Sequence, residues 1–522
     1  MPGNHFGKEN ERKIYLMKSG KVWLVGAGPG DSLLMTIKGR KVLEEADVVV
    51  YDSLVGDSIL STLPQEAQLI NVGKRASNHT MAQDKINQLL LSLAQEGKKV
   101  VRLKGGDPFL FGRGGEELEL LAENNIPYEV VPGVTSPLAV PAYNGIPVTH
   151  RDYTSSLHII TGHKKAGKEY DINFQALVRT KGTLVFLMGV HALKDICGGL
   201  LAGGMDPDMP AAILQKGTTA GQKRIVATVS TLAGEVERKG IETPAIIVVG
   251  RVCELADRFQ WYENLPLGGW KVVMTRPAGM ISRMAEKLRI AGAEVLELPS
   301  IQTVPREPDE MLENALLNIG QYQWLVLTSP TGVKILRQNM DRLKIDVRSF
   351  ASVRIAAIGK GTERELRKIG IYPDIVPSRF DGETLGRELA QLVREGDRIL
   401  IPRASAGNQA LVRYLEKAGG LVEDIPTYDT VPARPGIVDE KELFSRGEID
   451  CAVFTSASTV RGFVQATEGL DYSKVKAACI GKQTEAEAAR YGMETFVAEE
   501  ATMDSLLELV CNMKKEGTKW NY

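Results

Sequence analysis

The chain has 522 residues, 43 % of them hydrophobic and 25 % charged, the composition of an ordinary folded protein. At roughly 150 residues per domain this predicts three or four domains, with each half able to bury its own core. Lys and Arg number 64 against 65 Asp and Glu, which argues against chain-wide nucleic-acid or membrane binding but leaves room for a local basic pocket for a polyanionic small molecule.

Residues 1–20 are polar and charged with no apolar core of a signal peptide, so they read as a tail outside the fold. From there short apolar runs recur, each followed by an amphipathic stretch: Val22–Val25, Val48–Tyr51, Val100–Leu103, Leu184–Leu187 and Ile246–Val249. This alternation predicts an α/β fold, and the lack of a polar face within the runs suits strands covered on both sides. No apolar run reaches about 18 residues, so no spanning helix is expected. YENLPLGGW at 262–270 combines Pro and Gly-Gly before a fresh strand at Lys271–Met274 and predicts a linker over 261–269.

The second half repeats itself. WKVVMTRPAG (270–279) matches DRILIPRASAG (397–407), and AGAEVLELPSIQTVP (291–305) matches AGGLVEDIPTYDTVP (418–432). VLTSPTGV (326–333) and VFTSASTV (453–460) keep the same offset of 127 residues. AAIGKGTE and ACIGKQTE follow at an offset of 122. Ordered matches at a nearly constant offset predict an internal duplication and two similar lobes. All six histidines lie at or before His191, so the repeated half uses neither a His base nor a Ser-His-Asp triad. The five cysteines form no CxxC pair, which argues against a disulfide framework or zinc site and fits a reducing cytoplasm.

Two glycine clusters carry the chemistry of the first half. Gly26-Ala-Gly28-Pro29-Gly30-Asp31 follows a strand directly, but its sixth residue is Asp where the dinucleotide fingerprint needs Gly or Ala. RLKGGDPFLFGRGGEE (102–117) is more specific, with two glycine groups able to bring backbone amides and carbonyls against a ligand. With VVYDSLV (49–55), VGKRA (72–76), VVPGVTS (130–136), GIPVTHRD (145–152), TGH (161–163) and LMG (187–189), these blocks stand in the order and spacing of uroporphyrinogen-III C-methyltransferases. The resemblance covers roughly residues 20–258. It implies a two-lobed tetrapyrrole methylase fold that binds S-adenosylmethionine.

By that resemblance Pro29, Gly105, Gly106, Asp107, Leu110, Thr135, Ser136, Met188 and Gly217 line the cofactor, with Ala245 a weaker candidate. Asp52 matches the proton acceptor and Lys74 the proton donor. These types suit the reaction: the ring carbon gains positive charge as the methyl arrives, and a carboxylate stabilises that charge or takes a proton. Read without the family, Asp52 is a strand-end cap and Lys74 a solvated charge. Arg75, Arg102, Arg113 and Arg151 fall inside the matched blocks, and at least one of them is expected to face the substrate's carboxylates. His150 and His163 read as structural or substrate-proximal, the structural role being favoured, with no metal implied.

VVMTRP (272–277), LTSPTGV (327–333), AAIGKGT (356–362), IPTYDT (425–430), VFTSAST (453–459) and CIGKQT (479–484) resemble uroporphyrinogen-III synthases. The chain departs from that pattern at Pro330-Thr331, where many members have a small residue followed by Asn. The resemblance implies a two-lobed α/β domain over 270–522, with lobe one at 270–303 and 433–522, lobe two at 306–429, and linear hydroxymethylbilane in the cleft. Tyr428 matches the tyrosine credited with helping the hydroxyl leave. Thr328, Ser329, Thr455, Ser456 and Thr484, with Thr362, are candidates for carboxylate contacts; N-capping is the alternative role for such residues.

The expectation is therefore a methylase at 21–260 fused to a synthase at 270–522. The synthase half would make uroporphyrinogen III and the methylase half would methylate it twice to precorrin-2 for sirohaem and cobalamin. A homodimer through the methylase half is expected. A rival from another class makes the second half a non-catalytic tetrapyrrole sensor, and a methylase of another ring carbon is disfavoured by VGKRA with the full GGDPFLFGRGGEE block.

Overall fold

A computed structural model describes residues 20–64, 66–73, 81–162, 172–277, 283–306, 309–405, 407, 409–432 and 437–518. Its contacts divide the chain into two compact units, Met1–Pro299 with Arg434–Tyr522, and Ser300–Ala433.

The first unit begins with a five-stranded parallel sheet in the order Gln68–Asn71, Val48–Tyr51, Lys99–Lys104, Lys21–Gly26, Tyr128–Val131. The central strands are buried along nearly their whole length, as both-sided cover requires. One core lies around Leu24, Val50, Leu90 and Leu121, and another around Val49, Ile59, Val101 and Leu103.

The second sheet runs Leu157–Thr161, Thr183–Leu187, Ala245–Val249, Pro210–Gln215, Lys223–Thr228. It is mixed: Ala245–Val249 is antiparallel to both of its neighbours. The edge strand Lys223–Thr228 was not among the apolar runs, because Lys223 and Arg224 open it and Thr228 ends it, leaving only Ile225–Ala227 as an apolar stretch. Phe186 is fully buried in this sheet's core, where truncation to Ala costs about 3–5 kcal/mol.

Residues 261–269 are tied to the fold at several points. Trp261 Nε1 donates to Ala142 O at 2.9 Å, Leu267 is fully buried, and Lys514 Nζ donates to Gly268 O at 2.5 Å. The unit continues with the parallel strands Lys271–Pro277, Cys451–Phe454, Lys476–Cys479 and Glu494–Val497. The second unit carries the same pattern in Arg398–Ala404, Trp324–Leu327 and Arg354–Ala357, with Leu421–Pro432 beside Arg398–Ala404.

The duplication is visible strand by strand. Lys271–Pro277 corresponds to Arg398–Ala404, Glu294–Pro305 to Leu421–Pro432 and Trp324–Leu327 to Cys451–Phe454, each 127 residues apart. The copies are exchanged: the first strand of copy one pairs with the third strand of copy two, and the first strand of copy two with the third strand of copy one. The twelve-residue strands Glu294–Pro305 and Leu421–Pro432 carry the chain between units.

Candidate functional site

In the first half, the strands Lys21–Gly26 and Lys99–Lys104 are parallel neighbours in the register Gly26 to Lys104. Their carboxyl ends therefore lie side by side, where α/β sheets collect ligands, and the turns that follow pair directly. Gly106 N donates to Gly28 O at 2.7 Å and Gly28 N to Gly106 O at 3.2 Å. Gly106 has φ +69°, a region L side chains rarely adopt, and a Cβ built there meets nothing within 4 Å. Its backbone thus faces open space. Gly133 closes the third side: a Cβ there would stand 2.2 Å from Gly106 O.

The Asp107 carboxylate accepts from Phe109 N at 2.8 Å and Gly133 N at 3.0 Å, tying the glycine turn to the Gly133 loop. Pro29 and Leu110 are half-buried. Thr135 and Ser136, also half-buried, open the helix Ser136–Tyr143. Met188 follows the strand Thr183–Leu187 with φ +56° and is 54 % exposed. Gly217 lies against Val140, and Ala245 is buried.

Asp52 stands at the end of Val48–Tyr51, and its Oδ1 accepts from Leu54 N at 3.1 Å. Gly105 abuts Leu54, so the Asp52 turn lies against the glycine turn. Arg102 Nη2 approaches Asp52 Oδ2 at 3.4 Å, while Arg102 Nε meets Glu117 Oε1 at 3.1 Å and Lys104 Nζ meets the same oxygen at 2.8 Å. Arg102, Lys104 and Glu117 are all buried, and burial with the neighbouring Arg102 charge lowers the Lys104 pKa. Glu117 offsets two buried cations, which leaves Asp52 as the partly exposed member. Lys74 lies outside the described residues, as do Arg75 and His163. Gly73 abuts Ser53, placing the start of the VGKRA block beside the Asp52 turn.

Of the four candidate arginines, Arg102 is committed internally, while Arg113 and Arg151 are exposed. His150 accepts from Asp152 N through Nδ1 and packs edge-on to Tyr153, a turn-holding role.

Sequence reasoning missed the groups around Asp31. Asp31 N donates to Thr218 Oγ1 at 3.1 Å, Tyr143 Oη donates to Asp31 Oδ2 at 2.8 Å, and buried Ser58 Oγ donates to Gly30 O at 2.9 Å. Burial and the Asp31 charge push the Tyr143 hydroxyl pKa up, so it stays a donor. A cavity of about 160 Å³ lies against Asp31, Ser58 and Thr218, lined also by Tyr262 and Glu294. None of Gly105, Gly106, Asp107, Thr135 or Met188 lines it, so it is distinct from the space at Gly106.

In the second half, Tyr428 is 6 % exposed and its hydroxyl lies 2.7 Å from Ser329 Oγ. Ser329 also accepts from Gly332 N at 2.9 Å as N-cap of the helix Pro330–Leu343. Pro330 fits there because a first-turn residue needs no N–H bond. Thr328 is half-buried and Thr362 buried. In the other copy Ser456 caps Ala457–Ala466 in a reciprocal box with Thr459, beside half-buried Thr455. Thr484 is only 3 % exposed on the helix Lys482–Arg490.

Among the described residues no three His, Cys, Asp or Glu side chains group as a metal site, and no helix is long and apolar enough to cross a membrane.

The family model described as tetrapyrrole (corrin/porphyrin) methylases matches residues 21–233, and that of uroporphyrinogen-III synthase HemD matches residues 282–508. A siroheme synthase of Methylobacillus flagellatus is 48 % identical over 247 residues, covering 47 % of this chain and 53 % of its own length. The chain thus spans about half of that relative. A solved uroporphyrin-III C-methyl transferase from Thermus thermophilus, complexed with S-adenyl homocysteine, is 40 % identical over 45 % of this chain and 99 % of that one, at a TM-score of 0.39. The porphyrin biosynthesis protein HemD of Ruminiclostridium josui is 44 % identical over 492 residues, 94 % of this chain and 98 % of the relative. The chain belongs to this HemD family of porphyrin-biosynthesis proteins, and joins a tetrapyrrole methylase to a uroporphyrinogen-III synthase in one polypeptide.

Proposed function

We propose that residues 270–522 cyclise hydroxymethylbilane to uroporphyrinogen III, and that residues 21–260 methylate that product twice to precorrin-2. The observation that carries the methylase reading is the open space over Gly106, where three glycine-bearing loops and the Asp52 turn meet. It fits a cofactor that needs close backbone approach: a side chain on Gly106 would fill the space, and the paired turns present main-chain groups at a sheet's carboxyl edge.

S-adenosylmethionine, when bound, supplies the methyl group as an electrophilic sulfonium. Pro29, Gly105, Gly106, Asp107, Leu110, Thr135, Ser136, Met188 and Gly217 are the residues proposed to hold it. Asp107 works through the loops, since both its oxygens bond to backbone amides. Asp52 is proposed to accept a proton lost from the macrocycle after the methyl arrives, or to stabilise the positive charge that develops there, oriented by Leu54 N and Arg102. Lys74 is proposed as the proton donor. The protein's share of the rate is positioning, since an in-line transfer depends on alignment.

In the synthase half Tyr428 is proposed to donate a hydrogen bond to the departing hydroxyl, with Ser329 orienting its phenol. Thr328, Thr455, Ser456 and Thr484 are proposed carboxylate contacts. Thr484 must become accessible for that role, because its side chain is buried. A cytoplasmic location and a homodimer through the methylase half complete the proposal, supported by the family resemblance.

The test is to incubate the full chain with hydroxymethylbilane and S-adenosylmethionine and identify the product by absorbance and mass. Doubly methylated, ring-inverted product is expected. Loss of methylation alone would remove the first activity, and uninverted product would favour the sensor reading of the second half.

A further inference from the structure

We propose that the buried Lys271–Glu294 pair, contributed by the synthase half, sets the methylase half's affinity for S-adenosylmethionine by holding the two segments that brace the Gly30-Asp31 turn. The inference rests on reading the first half as the site of that cofactor.

The links form a closed circuit. Lys271 Nζ lies 3.4 Å from Glu294 Oε1 and 3.7 Å from Asp57 Oδ2. Glu294 Oε2 accepts from Ala220 N at 2.9 Å. One arm leads through Asp57 to its neighbour Ser58, whose hydroxyl holds Gly30 O. The other leads through Ala220 along the loop to Thr218, whose hydroxyl accepts from Asp31 N. The same loop includes Gly217, proposed to line the cofactor. A further bond, Ser61 Oγ accepting from Glu297 N at 3.1 Å, binds the Asp57–Leu60 helix end to the same synthase strand.

The Lys271 and Glu294 side chains are 11 % and 9 % exposed, so solvent screens the pair little. The turn it braces is built on Gly28 at φ +82° and Gly30 at φ +156°, residues whose backbones have the widest conformational freedom when nothing holds them. A glycine turn left unbraced samples more conformations, and binding must then order it. Losing the pair should therefore weaken cofactor binding while leaving the reacting geometry intact once the cofactor is bound. Lys271 and Glu294 are positioning residues: each acts on the turn through another residue.

The experiment uses the full chain with Glu294→Gln, Lys271→Met and the milder Asp57→Asn, whose parent carboxylate is 39 % exposed. Calorimetry with S-adenosylmethionine and with S-adenosylhomocysteine gives Kd, and steady-state methylation gives KM and kcat. Losing one charge-assisted contact predicts about a five- to tenfold rise in Kd and KM for Glu294→Gln and Lys271→Met, about two- to threefold for Asp57→Asn, with kcat retained. Lys271→Arg should restore Kd to within about twofold of the parent, because the cation returns. The ring-closure rate serves as the measure that the synthase half remains folded. Unchanged Kd in all three variants overturns the proposal, as does a fall in kcat at constant KM. Absence of binding by the parent chain instead removes the cofactor reading on which the proposal depends.

Discussion

The two copies of the duplicated half share a frame and differ in what it carries. Ser329 and Ser456, 127 residues apart, both follow a strand and cap the next helix through the side-chain oxygen. In the second unit that serine also meets Tyr428; the equivalent position in the other copy is Ile301. Ser456 instead engages Ser458 and Thr459. Likewise Glu310 and Glu440 both open a helix behind an aspartate cap, yet Glu310 is exposed and Glu440 is 7 % exposed. Duplication thus preserved what the backbone needs, the caps, and left the side chains above them free to diverge into a single proposed catalytic phenol.

That comparison can be broken or sharpened by measurement. The largest effect is expected outside both copies: Asp52→Ala should lower methylation about 10²- to 10⁴-fold while the cofactor still binds, as loss of a general base does. Ring closure, assayed on the same protein, should not change. Full methylation by this variant would remove Asp52 from the mechanism.

Next comes the pH response that separates Glu440 from Glu310. Burial raises the folded-state pKa of Glu440 from about 4.5 to about 7. A raised carboxyl is protonated in both states below pH 4.5, so no penalty exists there. The penalty grows as pH rises from 4.5 to 7 and is full above, reaching roughly 3 kcal/mol. Chemical denaturation should show the parent losing stability across that window and Glu440→Gln losing less, whereas Glu310→Gln should follow the parent. Parallel curves for all three would refute the assignment.

Third, Tyr428→Phe should slow ring closure about ten- to a hundredfold and leave methylation intact, in the range of one lost transition-state hydrogen bond. An unchanged closure rate would count against its role. Smallest, Ser329→Ala and Ser456→Ala should each cost about 1 kcal/mol of stability as lost caps, but only Ser329→Ala should also slow closure, because only Ser329 meets the tyrosine. Equal closure rates in the two variants would show that the shared frame, not the divergent side chain, governs the reaction.

Much of this protein was written locally. The apolar runs marked Val48–Tyr51 residue for residue and the neighbouring strands to within one or two positions, because buried parallel strands must be apolar throughout. The duplication was legible because a backbone frame keeps its glycines, caps and strand spacing after its surface has drifted. Gly105-Gly106-Asp107 stood out for a related reason: a turn that approaches other backbone closely tolerates few residue types. Only the folded chain could show that Gly106 pairs with Gly28, that Glu117 lies between Arg102 and Lys104, that the two copies exchange strands, and that Lys271 and Glu294 reach back to Asp57 and Ala220. Those facts join separate stretches of the chain through a few hydrogen bonds, charges or strand pairings, and such contacts impose no periodicity on the sequence. Local order is dictated by the spacing of neighbours, whereas a site is dictated by which distant ends the packed sheets bring together.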